Sequence, residues 1–119
     1  MEKAIMALEK SMQFRKITAI IRSEALEKVE QRLQKLGVPG ISVTRVKGYG
    51  EYANFYTHDW MATNARIEIF STAKRAEEIA RAIMEVANSG TPGDGIVAVL
   101  PVEKIYNIRK IAELQPDDL

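Results

Sequence analysis

The stretch ARIEIFSTAKRAEEIARAIMEVANSGTPGDGIVAVL, residues 65–100, contains a strand, a helix, a glycine-rich turn and a second strand in direct succession. Residues 65–70 alternate between small or branched aliphatic side chains and larger ones, which is typical of a strand with one buried face. Residues 71–90 carry apolar side chains at helical spacing after a serine and a threonine that can cap a helix, and Gly90 is predicted to end it. The apolar run 96–100 then predicts another strand.

The preceding residues repeat this order. KITAIIR, residues 16–22, is rich in β-branched side chains and predicts a buried strand. A helix follows, with Ser23 as its predicted cap and Gly37 in the left-handed position that often ends helices. ISVTRVK, residues 41–47, predicts the second strand, and KIYNI, residues 104–108, is predicted to add an edge strand after the fourth.

The complete order is βαββαβ, which predicts an α+β, ferredoxin-like domain: an antiparallel sheet with two helices on one face. We assign this domain to residues 15–109, an N-terminal extension to residues 1–14 and a polar C-terminal tail to residues 110–119. No predicted helix remains to cover the second face of the sheet, although many of its side chains are apolar. Because association usually buries such a face, we expect an oligomer.

Composition excludes several classes of protein. The chain has 119 residues, no cysteine, and 17 basic against 16 acidic side chains, which leaves a formal charge of +1. Thiolate metal sites and cysteine nucleophiles are therefore absent, and no general basic field for nucleic acid exists. No apolar segment approaches the length of a membrane span, so a soluble cytoplasmic protein is expected.

The glycine-rich turn SGTPGDG, residues 89–95, allows two interpretations. Gly90, Gly93 and Gly95 have no Cβ, so backbone N–H groups there can approach an anion such as a phosphate closely. The same pattern also fits a helix end followed by a tight turn, and a short glycine motif does not decide between the two.

Three segments together resemble the PII signal-transduction family. They are KITAIIR with the helix after it, GISVTRVKGYG (residues 40–50) and SGTPGDGIVAVLPVEKIYNIR (residues 89–109). The resemblance covers roughly residues 15 to 109. It implies a homotrimer that binds adenine nucleotides in clefts between subunits. It also implies regulation of a protein partner, with a membrane transporter as the first candidate, through a "T-loop" that follows the second strand.

The resemblance also implies a nucleotide site. The glycine turn would face the phosphates, residues at the start of the second strand would line the adenine, and Arg109 would reach the phosphates from the neighbouring subunit. The implied nucleotide-binding residues are Ile20, Gly40, Ile41, Ser42, Gly48, Gly50, Glu68, Phe70, Ser89, Gly90, Thr91, Pro92, Gly93, Asp94, Gly95 and Arg109.

Three positions depart from the family pattern. Ile96 and Asn64 stand where the family has lysines, and Asn107 replaces the first arginine of its R-I-R element. A charge-assisted hydrogen bond contributes about 1.5–3 kcal/mol. We therefore predict that ADP or AMP binds at least as well as ATP.

The predicted T-loop, residues 48–62, is short and aromatic. The family's glutamine that helps to hold magnesium and 2-oxoglutarate has no counterpart here, so neither ligand is expected. Amphipathic aromatics on a loop are typical interface anchors, although they can instead pack the loop on its own trimer, Trp60 most of all. The predicted partner-binding residues are Tyr49, Tyr52, Phe55 and Tyr56.

Other functions fit the sequence less well. Glu51, His58 and Asp59 are a weak metal signal on a loop, so no metal site is predicted. A small ferredoxin-like enzyme is an alternative, but the chain shows no nucleophile–base pair, so no catalytic residue is predicted. The other alternative is a structural trimer of the related cation-tolerance type without nucleotide sensing. An RNA-binding module is rejected because ARIEIF lacks the stacking aromatics of that motif.

Overall fold

The structure, a computed structural model, describes residues 1–5, 12–48 and 62–119. Its main sheet is antiparallel with the strand order β2-β3-β1-β4, and its two helices follow β1 and β3, as predicted. Residues 2–5 are also helical. The bounds of the main elements are β1 Phe14–Arg22, α1 Leu26–Lys35, β2 Ser42–Gly48, β3 Ala62–Thr72, α2 Ala73–Ala87 and β4 Gly95–Val102.

The core lies between the helices and one face of the sheet. Alternate residues of β1 and β3 point toward the helices, which explains the aliphatic spacing in both segments. Residues 65, 67 and 69, which the alternation assigned to one face, are all buried. The core cluster includes Ile17, Ala19, Ile21, Val29, Leu33, Ala65, Ile67, Ile69, Ile79 and Ile83.

Helix α1 ends as predicted but begins differently. Gly37 has a φ of 79°, its N–H donates to the Gln34 carbonyl, and the Val38 N–H donates to the Leu33 carbonyl, which together form a Schellman motif. The prediction that Ser23 caps the helix was wrong. A 3-10 turn over Ser23–Ala25 precedes α1, and the Ser23 hydroxyl donates to the Thr63 carbonyl 3.0 Å away instead.

Helix α2 begins and ends without the predicted caps. Thr72 is its N-cap residue, but no side chain makes a capping hydrogen bond. The N–H of Ala73 donates to the Gln13 carbonyl at 2.8 Å, so the chain before β1 satisfies the start of this helix. Gly90 does not close the helix, because α2 ends at Ala87 and Asn88 already has an extended backbone.

Among the described residues, no helix lies over the second face of the sheet, and this face is only partly apolar. Phe70, Ile96 and Leu100 are exposed on it by 48%, 44% and 42%. A charged pair lies among them, since the Lys16 Nζ is 3.2 Å from a Glu68 carboxylate oxygen. This face therefore offers apolar surface to a partner together with ion pairs that would have to be buried or solvated.

Strand β4 is one edge of the main sheet, and it carries Pro101 opposite Arg15. The prediction of a further edge strand from residues 104–108 was wrong. Tyr106–Asn107 (β5) pairs with Ala112–Glu113 (β6) in a separate two-stranded sheet, and a 3-10 turn follows at Pro116–Asp118. This hairpin crosses residue 110, where the sequence predicted the boundary between the domain and the polar C-terminal tail.

Candidate functional site

The glycine-rich loop, residues 89–95, joins the end of α2 to β4. Gly90, Gly93 and Gly95 all have positive φ, at 79°, 92° and 121°. Residues that carry a Cβ rarely adopt these backbone conformations. The loop therefore depends on glycine at all three positions for its path. This explains the glycine spacing independently of any ligand.

Gly95 also allows a close approach between β4 and β1. A Cβ on Gly95 would collide with the carbonyl oxygen of Ile20, and it would approach the Cα of Ile21 to 3.2 Å. The structure therefore places the Ile20 backbone directly beside Gly95. Gly90, by contrast, has nothing within 4 Å of the corresponding position.

The Asp94 carboxylate organises the first half of the loop. It accepts hydrogen bonds from the N–H of Ser89 at 2.8 Å, from the N–H of Gly90 at 3.0 Å and from the Ser89 hydroxyl. The Ser89 hydroxyl bond is the main cause that lowers the pKa of Asp94 from 3.8 to about 2, with smaller contributions from the two N–H groups and Arg22, while burial opposes the shift. The loop thus holds a negative group of its own on two consecutive backbone N–H donors.

Arg22 was not predicted as a site residue, yet it contacts the loop at three places. Its Nε lies 3.3 Å from an Asp94 carboxylate oxygen, and its Nη2 donates to the Thr91 hydroxyl at 3.2 Å and to the Pro92 carbonyl. The signal was in the topology. Because β1 and β4 are antiparallel neighbours, the last residue of β1 must lie beside the loop that precedes β4.

A pocket of about 360 Å³ lies beside the loop. The end of α2 supplies Ile83, Met84 and Ala87 to its wall, and residues 94–97 supply the other side. The pocket is mainly apolar, with the Asp94 end as its polar edge. Its shape and lining suit a ligand with a flat or aliphatic part next to a polar group.

The residues predicted to line the adenine lie elsewhere in the same chain. Ser42 is directly opposite Glu68 in the β2–β3 register. Gly40 and Ile41 line a different pocket, together with Glu30 and Val43. Three interstrand spacings of about 4.8 Å separate β2 from β4, so Ser42 and the start of β4 are about 14 Å apart.

The remaining predicted residues are scattered. Phe70 lies opposite Lys16 on the open sheet face, and Gly48 ends β2. Arg109 is exposed in the turn of the β5–β6 hairpin. The structure therefore brings together Ile20 and residues 89–95, and separately Ser42 and Glu68, but not the whole predicted set.

The three residues that depart from the family pattern have different surroundings. Ile96 is 44% exposed at the start of β4, and Asn64 is buried opposite Arg22 in the β1–β3 register. The Asn107 side-chain oxygen accepts the N–H of Lys110 at 3.0 Å and so shapes the hairpin turn. None of these three side chains carries a positive charge toward a ligand.

Several predictions concern residues 49–61, which lie outside the described residues. They include Gly50, the four aromatic residues Tyr49, Tyr52, Phe55 and Tyr56, and the weak metal group of Glu51, His58 and Asp59. Within the ranges that the structure does describe, no three histidine or acidic side chains form a metal-binding group. No helix in those ranges has the length and apolarity of a membrane span.

Comparison with known proteins decides the family. The model of the family described as nitrogen regulatory protein P-II matches residues 14–111. The chain belongs to the P-II family. This confirms the resemblance found in the sequence, and the matched residues run from the start of β1 to the turn of the β5–β6 hairpin.

Curated P-II relatives come from diverse organisms. The nitrogen regulatory protein P-II of Azospirillum brasilense is 33% identical over 103 residues, covering 80% of this chain and 91% of the relative. That of Cyanidium caldarium is 36% identical over 103 residues, covering 81% and 91%. A crystal structure of Arabidopsis thaliana PII bound to citrate has a TM-score of 0.75 and 30% identity, covering 87% of this chain and 90% of that chain. This P-II chain is thus a regulatory protein by family.

Proposed function

We propose that this P-II protein binds an adenine nucleotide with the phosphates on residues 89–95. The observation that carries the proposal is the path of this loop, in which three positive-φ glycines lead the chain to a pocket lined by Asp94 and Gly95. Backbone N–H groups in such concave turns are typical anion-binding groups. The pocket between α2 and β4 adds an apolar wall beside them.

The site is shared between subunits of a homotrimer in this proposal. Residues at the start of β2 and the end of the glycine-rich loop line different pockets of one chain, on strands about 14 Å apart. Two neighbouring copies can supply one half each. The open sheet face, with Phe70 and Leu100 exposed, gives the copies apolar surface to bury. Arg109, exposed on its hairpin, is the residue proposed to cross to the neighbouring site.

ADP or AMP is proposed to bind at least as well as ATP. Ile96 is apolar, Asn64 is buried and neutral, and the Asn107 side chain is engaged with Lys110. The Asp94 carboxylate adds a negative charge within the loop. A third phosphate would therefore meet fewer cations than a lysine-containing loop provides, and more repulsion.

Isothermal titration calorimetry with AMP, ADP and ATP tests this function directly. We expect binding with ATP no tighter than ADP, at one nucleotide per subunit. A strong preference for ATP would contradict the proposed role of the three neutral positions. Absence of binding for all three nucleotides would favour the structural trimer without nucleotide sensing.

We further propose that nucleotide occupancy sets the conformation of residues 48–62. This loop then binds a protein partner in the cytoplasm. The first candidate is a membrane transporter, which the loop would contact from the cytoplasmic side. Gly48 ends β2, so the loop starts from the rigid sheet. Couplings of about 1–3 kcal/mol between a ligand and a two-state loop are typical.

Hydrogen exchange across residues 48–62, with and without saturating ADP, tests that coupling. Protection should change on ADP addition, whereas equal protection in both states would refute the switch. Replacing Tyr52 and Phe55 by alanine should abolish partner binding and leave nucleotide affinity unchanged. Loss of nucleotide affinity in this variant would instead assign the aromatics to the trimer.

A further inference from the structure

We propose that Arg22 is the positioning residue of the loop formed by residues 89–95: it clamps the loop and offsets the charge of Asp94, so that phosphate can bind there. The effect of Arg22 on phosphate binding rests on the proposed nucleotide binding. The contacts between Arg22 and the loop do not depend on a ligand. Three loop residues, Thr91, Pro92 and Asp94, are held by this one side chain.

The clamp has a rigid base. Arg22 is the last residue of β1, where it lies opposite Asn64 of β3. Its neighbour Ile21 is paired with Gly95, the first residue of β4. The Arg22 side chain therefore begins on a central strand of the sheet. Its guanidinium reaches the loop that leads into the neighbouring strand, β4. Only 13% of the Arg22 side chain is exposed, so few alternative positions are open to it.

The geometry uses the fork of the arginine. The Nε faces Asp94, near the end of the loop, while Nη2 faces Thr91 and Pro92 at its middle. A guanidinium presents these donors in one plane with fixed spacing, whereas a lysine ammonium is a single point. Arg22 thus fixes the spacing between the two parts of the loop, and a lysine at this position would hold only one of them.

The charge of Arg22 is as important as its shape. The Asp94 carboxylate lies within the loop that is proposed to bind phosphate, bound to the N–H groups of Ser89 and Gly90. An uncompensated carboxylate there would repel an anionic ligand. The ion pair at 3.3 Å offsets that charge, and both side chains are mostly buried, at 13% and 21% exposure, which limits screening by solvent.

The test uses Arg22→Lys, with Arg32→Lys as the matched control. Arg32 also pairs with a carboxylate, Glu85 at 2.9 Å, but this pair joins the two helices and is exposed. Without nucleotide, we expect amide exchange of residues 89–95 to rise about tenfold in R22K, as for the loss of one charge-assisted bond, and not in R32K. With nucleotide, ADP affinity should fall about tenfold in R22K while adenosine affinity is unchanged.

The outcomes separate the clamp from the nucleotide site. Unchanged loop exchange in R22K would overturn the clamp. Faster exchange with unchanged ADP affinity would overturn its role in binding, and an equal loss for adenosine and ADP would show a general defect instead. If the wild type binds no nucleotide, the proposed function fails, but the exchange comparison still decides the clamp.

Asp94→Asn provides a second variant, which removes the carboxylate that Arg22 binds instead of changing Arg22 itself. Its loop exchange should rise as in R22K. The double variant R22K/D94N should exchange faster than D94N by less than the effect of R22K alone, because the two changes share the Arg22–Asp94 pair while R22K also weakens the contacts to Thr91 and Pro92. Additive effects on exchange would contradict a clamp that acts through Asp94.

Discussion

The carbonyl oxygen of Ile20 occupies the space that a Cβ on Gly95 would need. The backbones of β1 and β4 are therefore in direct contact at the point where the glycine-rich loop becomes a strand. This contact fixes where the loop ends, and it connects the geometry of the candidate site to the pairing of the two strands.

The first prediction concerns this contact. Gly95→Ala should lower the free energy of unfolding by at least about 2 kcal/mol, because a left-handed backbone and a collision with backbone atoms add together. Gly90→Ala is the control, since Gly90 has a φ of 79° but open space around it, and it should cost only about 1 kcal/mol. Urea denaturation measures both, and equal losses would contradict the role of the Ile20 carbonyl.

The second prediction concerns pH. The pKa of Asp94 is lowered in the folded protein, from 3.8 to about 2, so the unfolded state binds the proton more tightly. The contribution of Asp94 to stability is therefore complete above its unfolded pKa and is lost as the pH falls from 3.8 to about 2. The difference in stability between wild type and D94N should shrink across this range in urea titrations. A difference that is constant with pH would refute the assignment.

The third prediction restores a cation beside the loop. Ile96→Lys should raise the affinity for ATP relative to ADP by about tenfold, as expected for one added charge-assisted phosphate contact. Val99→Lys is the control, because Val99 lies on the same strand, is 45% exposed, and faces the other side of the sheet. Calorimetry with both nucleotides measures the ratio. An equal gain in both variants would indicate a general effect of net charge.

The fourth prediction tests how the open sheet face is covered. Leu100→Arg should dissociate the proposed trimer, because Leu100 is opposite Lys16 and a second buried cation there would be costly. Gln31→Arg, at an exposed residue of α1 outside the proposed site, should leave the assembly intact. Light scattering gives the mass of each variant. A trimeric L100R protein would place the interface elsewhere.

The fold was predictable because its signals are periodic and local. Alternation at residues 65–70 assigned the buried face correctly, and the apolar side chains at helical spacing in residues 71–90 include the buried Ile79 and Ile83. The caps were not predictable to the same extent. Ser23 is a good capping residue in isolation, but its hydroxyl bonds the Thr63 carbonyl, a partner 40 positions away.

The candidate site was predictable only where its signal was a backbone requirement. The glycine spacing correctly indicated a loop with special conformations, and all three glycines have positive φ. Arg22 could not be singled out in the same way, because its partner Asp94 is 72 positions away and nothing in KITAIIR marks the arginine. Its role depends on which strands are neighbours, and that information is carried by the fold rather than by the local sequence.

Pro101 has a consequence for solubility. An exposed edge strand is a template on which further strands can add without limit, and this is a common route to fibrous aggregates. In an edge strand, proline turns its donorless nitrogen outward, so a strand that added to β4 would lose a hydrogen bond at this position. Pro101 therefore disfavours open-ended growth of the sheet at this end of the β4 edge.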